Sequence, residues 1–149
     1  MKLEFSGAPE ITASPQTVWR KLLDPDFVAA SAPGVESVER LDPTHFKVIS
    51  GLGLGAMKVR FKLDVELFDI VEGQRLKMGA RGKAPGADVN VVSSLQVEDA
   101  GGGKTRLNWS ATSDVSGTVA SVGAGLLEWT ARRMTEEFWT DFARRVSAG

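Results

Sequence analysis

Two hydrophobic periods alternate along this chain, and the switches between them mark out its elements. Leu3 and Phe5 alternate with Glu4 and Ser6, so Leu3 to Ala13 predicts a strand, with Gly7 and Pro9 marking an edge position or a bulge. Helical spacing follows at Val18, Trp19, Leu22 and Leu23, behind a Ser14 N-cap with Pro15 at the first helical position. Asp24-Pro25 stops that helix and caps a second short one, Asp26 to Ala30, before the Pro33-Gly34 turn. The period then becomes two. Val35 to Leu41, Phe46 to Leu52, Met57 to Ile70, Arg75 to Gly82, Ala87 to Glu98 and Thr105 to Val115 read as consecutive strands. The alternation is clearest in the third of these, where Val59, Phe61, Leu63, Val65 and Leu67 oppose Lys58, Arg60, Lys62, Asp64 and Glu66. The last segment, Thr118 to Val146, has no Pro and carries the apolar stripe Leu127, Ala131, Met134, Phe138 and Phe142. As one helix it would span about 40 Å at 1.5 Å per residue. Glu128 with Arg132 and Asp141 with Arg145 are spaced as i, i+4 ion pairs along it.

A run of half-buried antiparallel strands with one long terminal helix must bury the apolar face of the sheet against that helix. The expected fold class is therefore α+β, a helix-grip. A curved antiparallel sheet of about seven strands wraps a long C-terminal helix, and two short helices follow the first strand. Glycines at the strand ends make the required bends cheap. At 149 residues, with no linker or repeat, the chain predicts a single domain over 1–149.

Composition narrows the chemistry. The absence of Cys excludes disulfides, thiolate metal sites and a cysteine nucleophile, and a single His45 excludes a multi-histidine metal site. A formal net charge of −1 gives no electrostatic case for nucleic acid. No stretch approaches the ~18 apolar residues of a membrane span. Met1 to Phe5 has no secretory character, so a cytoplasmic location is expected.

Several local patterns are more specific than the order of elements. Val18-Trp19, Leu22 and Asp24-Pro25, then Pro33-Gly34-Val35-Glu36-Ser37-Val38, and later Gly117 to Ala120 resemble the CoxG family of carbon monoxide dehydrogenase subunits, within the START/Bet v 1-like superfamily. The resemblance covers almost the whole chain. It implies a helix-grip fold around a hydrophobic cavity and an accessory role beside a carbon monoxide dehydrogenase-like molybdenum hydroxylase. It supplies no catalytic residues and no cofactor. Longer relatives carry a Pro-rich tail and a hydrophobic anchor that the sequence to Gly149 lacks, so attachment through such a tail is not expected; any place at the inner membrane would come through a partner. Ser31-Ala32 stands where relatives often have Cys-Ile.

The inward positions mix large with small residues, which predicts a void where the helix cannot approach a curved sheet. The expected ligand-binding cavity is lined by Val28, Met57, Phe61, Leu63, Met78, Val91, Ser93, Trp109, Ala111, Leu127, Thr130 and Met134. The methionines give it adaptable walls, and Ser93 and Thr130 give it polar anchors. The expected occupant is a lipophilic small molecule, with a quinone a plausible cargo for an enzyme that delivers electrons to a membrane. No carboxylate pair falls on the apolar strand faces; Asp114 and Glu128, near element ends, are the weak exceptions. His45 reads as a solvent-facing turn residue, with Asp42 and Asp69 as conceivable partners. Trp19 reads as an anchor of the first helix. Gly51-Leu52-Gly53-Leu54-Gly55-Ala56 has the letters of a dinucleotide fingerprint but leads into a strand, so it reads as a hairpin. Asn108-Trp109-Ser110 is a sequon in mid-strand and is set aside. Lys58, Arg60 and Lys62, extended by Lys77, Arg81 and Lys83, read as a solvated outer face. Two alternatives use other features: a cyclase or hydrolase would need His45 or Asp114 inside the cavity, and a surface-only assembly factor would use the basic row and Arg132-Arg133.

Overall fold

The computed structural model describes residues 1–148. Strand β1 (Lys2–Gly7) and the short β2 (Glu10–Ile11) precede helices α1 (Pro15–Leu22) and α2 (Pro25–Ser31). A meander follows: β3 (Val35–Asp42), β4 (His45–Leu54), β5 (Met57–Val71), β6 (Arg75–Ala84), β7 (Ala87–Gly101) and β8 (Lys104–Gly117). A 3-10 turn, Thr118–Val122, then leads into α3 (Ala124–Ala148). All strands join one antiparallel sheet in the order β1-β8-β7-β6-β5-β4-β3, with β2 continuing β1 along β8. This is the α+β helix-grip expected from the periodicity. The first strand differs from its expected extent, because Gly7 to Pro9 interrupts it and the chain re-pairs at Glu10 and Ile11.

The short helices are built as their caps dictate. The Thr17 amide donates to Ser14 Oγ at 3.2 Å, and the Asp26 and Phe27 amides donate to Asp24 Oδ1 at 3.1 and 3.3 Å. The C-terminal helix starts at Ala124, six residues later than the expected Thr118. Gly117 has φ +86°, and a Cβ there would stand 2.0 Å from the Gly86 carbonyl oxygen. That close crossing, closed by the Thr118 amide on Gly86 O at 2.7 Å, leaves only a single tight turn before Gly123 breaks direction again.

Apolar packing divides into two clusters. One joins Ile11, Val18, Trp19, Phe46, Leu67, Leu76, Leu95, Leu107, Phe142 and Val146. The other joins Leu3, Leu54, Phe61, Ala87, Val115, Val119 and Leu127. Phe142, fully buried, sits edge-on to Phe27 and Trp139 and stacks with Phe138, so α2 and the C-terminal half of α3 share one aromatic core. Trp19 anchors α1 in the same cluster, its Nε1 buried without a partner. The expected Asp141–Arg145 pair does not form: Asp141 pairs with Arg144. Arg145 turns instead to α2, where Nη1 donates to Phe27 O at 2.8 Å and Ser31 Oγ at 2.7 Å, and the guanidinium lies 4.1 Å from the Phe27 ring centroid. A carbonyl and a buried hydroxyl on α2 outcompete the carboxylate for this guanidinium. The other expected pair, Glu128–Arg132, forms at 3.0 Å.

His45 caps the β3–β4 turn. Its Nδ1–H donates to Asp42 Oδ1 at 2.9 Å, and Glu66 lies 3.7 Å from Nε2. The Thr44 amide, first, and His45 hold the Asp42 carboxyl down to about 2, and the Asp42 hydrogen bond raises His45 above its ordinary 6.5. Asp69, the other conceivable partner, pairs with Lys77 at 3.7 Å.

Two outcomes follow. Phe142→Ala should cost about 3–5 kcal/mol in urea denaturation, while Trp129→Ala, at an exposed position, stays within about 0.5 kcal/mol. NMR titration should place the His45 pKa above 6.5 and return it there in Asp42→Asn. The charged-His45 contribution to the turn is therefore complete below pH 6.5 and fades as pH rises through the folded value. The Asp42 contribution runs the other way: complete above 3.8, it is lost as pH falls through about 2.

Candidate functional site

The strand registers decide which side chains share the inner face. Leu63, Val65 and Leu67 of β5 lie opposite Gly82, Ala80 and Met78 of β6; the last two lie opposite Val91 and Ser93 of β7, which lie opposite Ser113 and Ala111 of β8. On β4 the same face carries Phe46, Val48, Ser50, Leu52 and Leu54. From β4 to β8 this face holds no ionisable group except Asp99, exposed at the far end of β7. The interior is apolar with a few hydroxyls.

It is not uniformly packed. Val91, Ser93, Ala111 and Ser113 stand in the middle of the covered face, yet they are only half-buried, and the apolar Val91 and Ala111 belong to neither cluster. Water-sized space therefore adjoins the centre of the sheet. The cause is geometric: α3 makes its close backbone approaches to α1, α2, β2, the 3-10 turn and the end of β4. Small side chains on the middle strands cannot reach across what is left.

At Leu52 one margin of the inner face borders further open space. A cleft of about 250 Å³ lies between α3 and the end of β4, lined by Pro33, Gly34, Gly51, Leu52, Gly53, Gly55, Leu126, Trp129, Thr130, Arg133, Met134 and Glu137. It exists because β3 leaves β4 early. The last bond between the Pro33-Gly34 turn and β4 is the Gly51 amide to Gly34 O at 2.8 Å, and β4 runs on to Leu54 without a neighbour on that side. Gly34 has φ +83°, and a Cβ there would stand 2.2 Å from Gly51 O, so this rim requires glycine. On the helix side Trp129 is 57 % exposed, with the Arg133 guanidinium 5.4 Å from its ring and Glu137 3.0 Å beyond. Thr130 is buried and donates its hydroxyl to Leu126 O at 2.8 Å, a bond that leaves the oxygen lone pairs free to accept.

The residues expected to line a cavity fall into three sets. Thr130 and Met134 line the cleft, and Val91, Ser93 and Ala111 form the loosely covered middle of the sheet. Met57, Phe61, Leu63 and Leu127 belong to the cluster at the β4–β5 hairpin end. Val28, Met78 and Trp109 belong to the aromatic cluster at the other end, where Trp109 stacks on Trp139 at 5.5 Å. Sequence reading missed Leu52, Gly53, Leu126 and Trp129. For Leu52 and Gly53 the signal was available in the G-L-G-L-G alternation, a strand whose glycines face one way and whose leucines face the other.

The ionisable candidates lie outside. His45 is exposed at its turn, Asp114 is exposed with the N-terminal amine 3.6 Å away, and Glu128 is exposed against Arg132. The basic row on β5 and β6 is solvent-facing, with Arg60 held bidentately by Glu36 at 3.0 and 2.9 Å. Asn108 donates to Glu98 at 2.9 Å. A larger groove of about 1030 Å³ is lined by Ser6, Lys77, Ser94 and Ser110 together with Leu76, Leu95 and Trp109. Among the described residues no group of His, Asp and Glu could hold a metal ion, and no helix is long and apolar enough to cross a membrane.

Known structures share this architecture. A conserved protein from Geobacillus kaustophilus superposes with a TM-score of 0.89 at 23 % identity, covering 98 % of this chain and 96 % of its own. A START superfamily protein from Mycobacterium smegmatis gives 0.73 at 13 % identity, covering 97 % of each chain. The Zhui aromatase/cyclase from Streptomyces sp. R1128 gives 0.71 at 14 %, covering 98 % and 94 %. At these identities the likeness establishes the START-like fold alone. No functionally curated protein matches the sequence. The family model for the CoxG component of carbon monoxide dehydrogenase matches residues 7–147, nearly the whole chain, and with its motifs carried on this fold the chain belongs to the CoxG family.

Proposed function

We propose that this protein is a non-catalytic binding protein that holds a lipophilic small molecule inside the helix-grip and works beside a carbon monoxide dehydrogenase-like molybdenum hydroxylase. The observation that carries the reading is the uncovered middle of the inner face. Val91, Ser93 and Ala111 keep accessible surface between two packed clusters, and a cleft at the margin of the same face is lined by Leu52, Thr130 and Met134. The middle of the face offers only hydroxyls as polar anchors and favours an uncharged lipophile, because a buried charge would find no partner there; Arg133 and Glu137, which also line the cleft, pair with each other.

The accessory role rests on membership of the CoxG family. Such an enzyme must pass its electrons to the membrane, and a lipid-soluble quinone is the cargo that fits both the partner and the apolar interior. The protein would act in the cytoplasm and meet the inner membrane through its partner. From β4 to β8 the only ionisable side chain on the inner face is Asp99 at its far end, and Arg40 of β3, opposite Phe46, is exposed, which is why a carrier is favoured over a cyclase or hydrolase on the same fold.

Ser93→Phe tests the reading. In an open interior the ring fills the void, so binding of the uncharged dye N-phenyl-1-naphthylamine falls at least tenfold and the melting temperature holds or rises. In a filled interior the same change overpacks the core, costs about 1–3 kcal/mol and lowers the melting temperature. Native mass spectrometry of protein from its own host, before and after organic extraction, should show a lipophilic species that extraction removes. Protein that carries no such species and binds no dye would overturn the proposal.

A further inference from the structure

Gly53 is a glycine that nothing in the fold requires. Its φ lies outside the left-handed region, and a Cβ on it would meet no atom within 4 Å. An interior strand glycine costs roughly 0.5–1 kcal/mol against alanine through lost conformational freedom. Gly34 and Gly117 offset that cost with close backbone crossings; Gly53 does not.

What Gly53 leaves bare is its own peptide group. The two-residue turn Gly55-Ala56 makes Leu54 and Met57 the closing pair of the β4–β5 hairpin, so the Leu54 N–H and C=O face β5. Backbone groups alternate along a strand, so those of Gly53 face away from β5, as those of Gly51 do. Gly51 finds Gly34 O on that side at 2.8 Å. Gly53 finds none: β3 has already departed, and the space beyond is the cleft bounded by Leu126, Trp129, Thr130 and Met134. A donor and an acceptor therefore point from an uncovered, exposed strand edge toward the cleft at the margin of the inner face. The cleft, at about 250 Å³, has room for a ring or a small head group.

We propose that the Gly53 peptide group is the head-group site of the cavity: its N–H donates to a carbonyl or similar acceptor at one end of an otherwise apolar ligand, whose tail runs inward toward Ser93. This rests on the lipophile-binding reading above and adds an orientation and a ligand class, a lipophile with one hydrogen-bonding end. The leucines at 52 and 54 turn inward and leave the edge clear.

The test compares 2-dodecanone with dodecane as competitors of N-phenyl-1-naphthylamine. Wild type should prefer the ketone by roughly three- to tenfold, the value of one neutral hydrogen bond. Gly53→Pro removes the N–H at an edge position where no ladder bond uses it, so the ketone should lose its advantage over dodecane. Gly53→Ala retains the N–H and should retain the preference. In 15N-labelled wild type the Gly53 amide resonance should move with the ketone and not with dodecane, a readout independent of whether the proline variant folds. Dye binding with a ketone preference that survives Gly53→Pro, or an unmoved Gly53 amide, overturns the head-group site alone. Absence of all dye and lipophile binding overturns the carrier reading along with it. A wild-type dimer that Gly53→Pro dissolves would assign the edge to strand pairing between copies and overturn the proposal as well.

Discussion

One helix has to cover a sheet much wider than itself. Seven strands side by side, at about 4.8 Å each, present a face on the order of 30 Å across, whereas a helix with its side chains is only about 10–12 Å thick. Curling the sheet brings its margins onto the helix but lifts the helix off the centre. Packing is therefore achieved at the two ends of α3, around Phe142 and around Leu127, and it fails between them. The short helices α1 and α2 close one end by adding Val18, Trp19 and Phe27 to the aromatic cluster, and Arg145 ties α2 down. Every other feature of the interior is a consequence of this mismatch in width.

The same constraint explains why polar chemistry is kept outside. A charge on the inner face would be desolvated without a fixed partner, since the opposing helix stands too far off to provide one. Hydroxyls are tolerated because they can bond to their own backbone, as Thr130 and Thr135 do to carbonyls one turn back at 2.8 Å. Ion pairs accordingly decorate the outer face and the exposed side of α3, where their worth is small and screened. His45 follows this rule: an Asp42-bound turn cap on the outside needs no catalytic explanation.

Glycines divide by what they permit. Gly34 and Gly117 allow backbones to cross at distances no Cβ tolerates, and they set where β3 leaves the sheet and where α3 can begin. Gly53 permits nothing of the kind and leaves an edge open where β3 has gone. The cleft thus results from one crossing and one departure, at Gly34 and Gly51, separated in sequence and joined by a single bond.

The period-two alternation from Val59 to Leu67, the Ser14 and Asp24 caps and the Leu127 to Phe142 stripe made the helix-grip legible from the sequence. Each is a local pattern whose burial requirement admits one kind of neighbour. The inner faces were legible for the same reason. The sequence did not show which inward residues would touch one another: Phe61 and Leu127 close one cluster, Met78 and Trp109 the other, and Val91 and Ala111 join neither. Nor did it show that Arg145 would leave Asp141 for α2, or that the final helix would wait for Gly123. Periodicity assigns a side chain to a face, a one-dimensional property of the chain. Whether that face meets a partner depends on the distance between sheet and helix, which strand curvature and a few backbone crossings decide only in three dimensions.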